Sequence, residues 1–475
     1  MSKVNRDDVV DLDVTDIGFE GKGIARIDGE LVVFVDGAVP GDKIRARIKK
    51  VKKKFAEAVI EQVLENSEFR TKPECEHFGV CNGCKMQNID YSYQLNIKRQ
   101  SVINAFERIG GFKGITAPPV IGSPNIYFYR NKLEFSFSND RWLTETDMGK
   151  EDVSKKFALG FHMPGFIDKV VDINKCHLQS ELSNIILNKT RDFFKSKGES
   201  IFSTRTHEGY LRYLVIRQSE RTKDVMVNLI TSSEKNKLME EYSAMILKET
   251  IKTDSKYSAP SILNSISSSK AQVAQADYFN AFSGKGFIEE TLGKYRFKIT
   301  PTSFFQTNTD QCEKLFDTII EMAKFEPSEN VLDLYCGCGA ISIYISALVH
   351  KIFGIELSQD SIMMAHENAE LNIVSNCDFA AYDVKDYLAV ITKDLTNKYD
   401  TIILDPPRSG IHPKAAEYLL EYEAKKIIYV SCNPTTQARD IKLLESKYDI
   451  TSMQPVDMFP HTFHIENVVR LDLKN

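Results

Sequence analysis

After about residue 300 the chain alternates apolar strand segments with helical ones, and each strand ends on a residue with chemistry to offer. Asn330-Val331-Leu332-Asp333-Leu334 runs into Tyr335-Cys336-Gly337-Cys338-Gly339, Ile352 to Ile355 into Glu356, and a third strand into Asp383. Thr401 to Leu404 runs into Asp405-Pro406-Pro407-Arg408, and Ile427 to Val430 into Ser431-Cys432-Asn433-Pro434. Unbroken apolar strands between helices predict a parallel sheet covered on both faces, with a ligand crevice at the strands' carboxyl ends. The fold class expected for residues 300–475 is therefore α/β, Rossmann-like.

Two features of that crevice bear on function. Gly337 and Gly339 allow a ligand to approach the backbone, and Glu356 stands 23 residues after Asp333, at the end of the second strand. There a carboxylate accepts ribose hydroxyls, so a nucleoside cofactor is expected; a G-x-G turn alone would also suit a nicotinamide enzyme. Asn433-Pro434 stops the fifth strand abruptly and leaves Cys432 facing the crevice, where a nucleophile belongs. The plainer reading, a buried structural cysteine, is the commoner fate of a lone Cys.

At 475 residues the chain is too long for one core, and about three domains are expected. Residues 1–66 read as five short strands: Val9 to Val14, Gly23 to Ile27, Leu31 to Val35, Lys43 to Val51 and Ala56 to Val63. Five strands in that length suggest a small OB-type barrel. Net charge is −5, which argues against indiscriminate nucleic-acid coating, yet Lys43 to Lys54 holds eight Lys or Arg and no acid. One barrel face is expected to meet a polyanion. Residues 67–299 read as α+β, with a helix over Tyr91 to Ile109 that can pack on the catalytic unit. In the same stretch Arg130, Lys132, Arg212 and Arg217 recur beside Phe128, Tyr129 and Tyr213, a mixture suited to phosphates and unpaired bases.

Cys75, Cys81 and Cys84 fall within ten residues, and Cys176 is the only cysteine between Cys84 and Cys312. In a reducing compartment such a group binds metal or reacts rather than forming disulfides. The absence of a second C-x2-C pair favours an iron-sulfur cluster over zinc; His77 and His177 keep a zinc site open. No apolar run approaches a membrane span and the start, Met1 to Val10, is charged, so a cytoplasmic protein is expected.

Taken together, Phe304-Phe305-Gln306, Asp333-Leu334-Tyr335-Cys336-Gly337, Asp405-Pro406-Pro407-Arg408, Ser431-Cys432-Asn433-Pro434 and Phe459-Pro460-His461-Thr462 through Glu466 resemble the S-adenosylmethionine-dependent RNA uracil-5 methyltransferases. The resemblance covers nearly the whole chain and is weakest between about 185 and 300. The barrel resembles their TRAM domain, and C-x5-C-x2-C with a distant Cys resembles the 4Fe-4S ligands of the 23S rRNA branch. It implies a class I methyltransferase domain, with Cys432 as nucleophile, Glu466 as base, and Gln306, Tyr335, Glu356, Asp383 and Asp405 around S-adenosylmethionine. It further implies a 4Fe-4S cluster on Cys75, Cys81, Cys84 and Cys176. Some members carry a polar residue where this chain has Ala340, so one cofactor contact is expected to be absent.

The implied chemistry is self-consistent. Uracil C5 is a poor nucleophile until a thiolate adds to C6, and a carboxylate must afterwards remove the C5 proton. The target base must be unstacked, and Phe305 is the expected stacking partner. Methylation of a 23S rRNA uridine is the expected function. The alternatives are a tRNA uridine C5 methyltransferase and a non-catalytic iron-sulfur RNA-binding or assembly factor.

Overall fold

The computed structural model describes residues 4–144, 147, 154–253, 255–393 and 398–474. Met1 to Lys3, at the charged start, lie outside the described residues.

Five strands, β1 (Val9–Ile17), β2 (Gly23–Ile27), β3 (Leu31–Asp36), β4 (Lys43–Val51) and β5 (Phe55–Glu65), close into a barrel in the order β1-β2-β3-β5-β4. Alternation drives it: Ile44, Ala46 and Ile48 point inward with Leu12, Val33, Val35 and Ala56, while the intervening basic residues point out. The outward residues are not bare. Lys43 meets Glu65, Arg45 meets Asp11, Arg47 meets Glu61 and Lys50 meets Glu57, all on neighbouring strands. Half of the expected polyanion face is thus neutralised across the sheet, which a linear charge run could not reveal.

Helix α1 (Tyr91–Arg108) follows, capped by Asp90, whose carboxylate accepts from the Ser92 and Tyr93 amides. Next comes an eight-stranded sheet of β6 (Lys132–Ser138), β7 (Asp140–Trp142), β8 (Ala158–His162), β9 (Lys169–Asp172), β10 (Leu211–Gln218), β11 (Val225–Thr231), β12 (Ser261–Ile266) and β13 (Tyr278–Ser283). Helices α2 (Glu181–Ser196) and α3 (Asn236–Thr253) cover it through Ile186, Phe194, Tyr242 and Ile246. Arg212 and Arg217, expected to face RNA, are buried in this layer. Arg212 donates to the carbonyls of Ser267, Ser269 and Ala271, and Arg217 to that of Ser303. Their charge holds loops together and is withdrawn from phosphate.

A hairpin, β14 (Ile288–Leu292) and β15 (Tyr295–Ile299), leads to α4 (Thr309–Ala323) and then the strand-helix alternation. That alternation comprises β16 (Asn330–Leu334), α5 (Ala340–Ile345), β17 (Lys351–Glu356), α6 (Gln359–Leu371), β18 (Cys377–Ala381), α7 (Val384–Ile391) and β19 (Thr401–Leu404). It ends with α8 (Pro413–Tyr422), β20 (Lys426–Ser431), α9 (Pro434–Leu444), β21 (Tyr448–Val456) and β22 (Glu466–Leu473). The sheet order is β18-β17-β16-β19-β20-β22-β21; β18 to β20 are parallel and β22 is antiparallel to both its neighbours. The α/β expectation holds. Earlier chain also enters this core: Val102, Phe106, Ala117 and Val120 pack with Leu334, Leu404 and Tyr429, and the β14–β15 hairpin packs with Val331 and Ile352. Among the described residues no helix is long and apolar enough to cross a membrane.

Candidate active site and cysteine cavity

Parallel pairing lines up the strand ends, so the sheet order is also the order of the residues that follow the strands. Along the carboxyl edge stand Asp383, Glu356, Tyr335, Asp405, Cys432 and finally Glu466 of the antiparallel β22. One rim therefore carries every predicted cofactor-facing and reacting residue except Gln306. Gln306 sits before α4, half-buried, and its carbonyl accepts from the Asn131 side-chain amide, which ties the segment to the eight-stranded sheet.

The Glu356 end of the rim is open. Tyr335 (φ 68°), Gly337 (φ 54°) and Gly339 (φ 78°) wind the chain back over the end of β16, and the Tyr335 and Cys336 amides donate to the Ile355 carbonyl. Leu357, beside Glu356, is 71% exposed. An apolar side chain left uncovered beside a carboxylate and a glycine turn is an arrangement that suits a nucleoside. Asp333 is fully buried, accepts from the Ser342 hydroxyl at 2.6 Å, and has its carboxyl pushed up to about 7 by burial. It braces the turn from below. Asp383 is exposed and caps α7 through the Lys385 and Asp386 amides.

The reacting end is less open. Cys432 follows β20, and Asn433 caps α9, with Pro434 as that helix's first residue. Burial pushes the Cys432 thiol up to about 11; the negative charge of Glu466 adds to the shift, while Arg408 opposes it by charge and by hydrogen bond. Glu466 is 4% exposed, and its carboxyl is held well above the usual range by burial and by Asp405, with Arg408 again opposing. Asp405 is pushed up to about 7 by burial and then by Asp333. Arg408 also lies 3.3 Å from the His464 ring. Cys432 and Arg408 line a groove of about 560 Å³ with Asp16, Gly18 and Ile24 of the barrel region and Lys98, Ser101 and Asn104 of α1, and the buried Glu466 directly follows Ile465 of that lining.

One expectation is corrected. Phe305 is 3% exposed and packs on Phe297 at 5.7 Å between ring centroids, so it has no face for a base. Phe304, its neighbour, is 71% exposed. The pair Phe304-Phe305 reads the same in either register, and only the packing of Phe305 into the β14–β15 core decides which ring is free. Arg408 was legible only as part of a motif, without a role.

Cys75, Cys81, Cys84 and Cys176 line a second cavity of about 140 Å³ with His77, Arg130, Phe161 and His177. Burial pushes Cys81 and Cys176 up to about 12 and Cys84 to about 11. Among the described residues no three Cys, His, Asp or Glu side chains gather closely enough for a single metal ion. The four cysteines nevertheless line one cavity.

Comparison with known proteins agrees with this architecture. The family model described as tRNA (Uracil-5-)-methyltransferase matches residues 281–474, and the TRAM domain model matches residues 3–60. The chain is 40% identical to an RNA methyltransferase of Chlorobaculum tepidum, over 98% of this chain and 96% of that one. It is 42% identical to one of Bacteroides thetaiotaomicron, over 96% and 99%. Among solved structures it resembles the Pyrococcus abyssi tRNA (uracil-54, C5)-methyltransferase in complex with S-adenosyl-L-homocysteine, with a TM-score of 0.72 and 29% identity over 96% of this chain and 99% of that one. A TRAM barrel, a methyltransferase sheet and full-length RNA methyltransferase relatives place the chain in the TRAM-containing RNA uracil-5 methyltransferase family, whose members use S-adenosylmethionine.

Proposed function

We propose that the protein methylates C5 of a uridine in RNA through a covalent adduct on Cys432. The observation that carries the reading is a thiol and a guanidinium lining one groove at the end of the rim, with the buried Glu466 carboxyl near enough to raise that thiol. Arg408 stabilises the Cys432 thiolate, which forms a bond to uracil C6 and makes C5 enolate-like. Bound S-adenosylmethionine supplies an electrophilic methyl group. Glu466, as carboxylate, takes the C5 proton; the C5–H electron pair restores the C5–C6 double bond, the C6–S bond breaks, and Cys432 leaves as thiolate. Phe304 stacks on the flipped base or its neighbour. Gln306, Tyr335, Glu356, Asp383 and Asp405 hold the cofactor or orient it against the ring. The barrel over residues 1–66 and the central unit over 67–299 grip the surrounding RNA.

Cys75, Cys81, Cys84 and Cys176 would hold a 4Fe-4S cluster, supplying four thiolates to iron from the lining of one cavity. Its role is structural, since methyl transfer from a sulfonium oxidises nothing in the protein.

The RNA is 23S rRNA in the first reading, on the strength of a TRAM barrel combined with a four-cysteine centre. Transfer RNA is the second reading, favoured by the overlay of nearly the whole chain on a tRNA enzyme. Intact mass after incubation with S-adenosylmethionine and fragments of 23S rRNA or tRNA carrying 5-fluorouridine separates them. Fluorine cannot leave as a proton does, so a covalent methylated adduct on one RNA class and not the other identifies the substrate. No adduct on either, with cofactor bound, would favour the non-catalytic reading.

A further inference from the structure

Glu466 opens β22 directly opposite Val456, the last residue of β21, so Asp457 to Ile465 form the loop that closes this hairpin. The position of the carboxyl depends on how the loop is held. Its root is held from outside the methyltransferase sheet. Lys98 of α1, 1% exposed, donates to Asp457, fully buried, at 2.6 Å and to the Phe459 carbonyl at 3.0 Å. The other Asp457 oxygen accepts from the Tyr91 hydroxyl at 2.9 Å. Gln94, one turn before Lys98, accepts from the His461 amide at 3.0 Å and contacts the His461 ring at 3.2 Å. The amides of Lys85 and Met86, the two residues after Cys84, both donate to the His461 carbonyl.

A buried lysine-aspartate pair is a poor source of net stability, because both charges forgo water. It is a good register device: the two partners tolerate no substitute position. Asn308, Gln311, Tyr129 and Ile121 also bond this loop's backbone, while the anchors from residues 85 to 98 come from a run of chain that also lines the Cys432 groove through Met86, Ile97 and Lys98.

Building on the assignment of Glu466 as the base, we infer that Lys98, with Tyr91, is a positioning residue for the Glu466 carboxylate, acting through Asp457. Lys98 touches no reacting atom. It fixes where the hairpin loop leaves the sheet, and so whether the carboxylate reaches the C5 proton after methyl transfer. The addition and methyl-transfer steps run on Cys432 and the cofactor rim, which other strands position, so losing the pair affects release more than the steps before it.

The experiment uses the full-length protein with S-adenosylmethionine and ordinary uridine RNA. Four variants are compared with wild type: Lys98→Met with Asp457→Leu, Lys98→Gln with Asp457→Asn, Tyr91→Phe, and Glu466→Gln. The first removes both charges together, avoiding an unpaired buried ion. It is expected to form the methylated covalent protein-RNA adduct at the wild-type rate, release it on the order of tenfold more slowly, and keep KM for RNA within about twofold. Lys98→Gln with Asp457→Asn retains hydrogen-bonding groups and is expected to restore most of the release rate. Tyr91→Phe, which removes one hydroxyl, is expected to give a smaller accumulation and stands in if the first variant does not fold.

Glu466→Gln is the calibrating control. If it accumulates adduct while neither the apolar pair nor Tyr91→Phe does, Lys98 is a structural residue and the inference is overturned. If Glu466→Gln itself accumulates none, the base assignment has failed, and the inference with it, for a separate and visible reason.

Discussion

Cys432 and Glu466 each lie one residue beyond the Ser431–Asn467 pair with which the antiparallel pairing of β20 and β22 ends. There β20 gives way to α9, Cys432 lines the groove, and Glu466 lies buried beside it at the start of β22. Neighbouring residues so placed affect each other's ionisation, and the negative charge of Glu466 raises the Cys432 thiol.

Cys432→Ala is expected to reduce turnover to below about one thousandth while S-adenosyl-L-homocysteine binds as before. The cysteine follows β20, three strands along the sheet from β17 and Glu356, the proposed ribose partner. Isothermal titration of the variant checks this; lost cofactor binding would mark Cys432 as structural.

Arg408 is the one influence that lowers both the Cys432 thiol and the Glu466 carboxyl. With the thiol pushed up to about 11, kcat/KM is expected to rise with pH through 7 to 9 as the thiolate fraction grows. Arg408→Met removes the opposing charge and pushes the thiol higher still, so activity should fall by a similar factor at pH 7 and at pH 9 while keeping its rise with pH. A pH profile that moves the other way would detach Arg408 from the nucleophile.

Asp333 has a folded value of about 7, above the ordinary carboxyl range. The folded state therefore holds its proton more tightly than the unfolded chain, and its contribution to stability is present at low pH and lost as pH rises through about 7. Cofactor-free Asp333→Asn should gain relative to wild type between pH 4 and 8, by up to about 4 kcal/mol. Urea unfolding at several pH values reads the difference. His461 and His464, both lowered to about 4 by burial, are common to both proteins and cancel.

Phe304→Ala and Phe305→Ala should separate cleanly. Phe304 is exposed, so its loss is expected to weaken RNA turnover by about tenfold, stacking being worth about 1–3 kcal/mol per base, and to leave the melting temperature alone. Phe305 packs on Phe297, and its loss should cost about 3–5 kcal/mol of stability.

If the proposed 4Fe-4S cluster is held as above, replacing Cys84 by Ser is expected to lower iron content and visible absorbance. Because Lys85 and Met86 hold the His461 carbonyl, it should also slow release of methylated RNA. Unchanged iron content would move the ligand set elsewhere.

Much of this protein was legible in its sequence, for physical reasons that can be named. Strand-helix alternation after residue 300 required a parallel sheet, because apolar strands between helices bury both faces. A parallel sheet brings its strand ends to one edge, so Glu356, Tyr335, Asp405 and Cys432 had to share a rim. Alternation also specified the barrel: Ile44, Ala46 and Ile48 cannot all face water. Other features depended on pairing between residues far apart in the chain. Sequence could count the basic residues of Lys43–Val51 but not the acids of β1 and β5 set against them. It could mark Arg212 and Arg217 as cations but not see them turned inward onto loop carbonyls. Which of Phe304 and Phe305 faces solvent was decided by the β14–β15 hairpin, and the hold on the Glu466 loop by a contact between Lys98 and Asp457, 359 residues apart. Local pattern determines which faces are apolar; what meets those faces is a property of the folded chain alone.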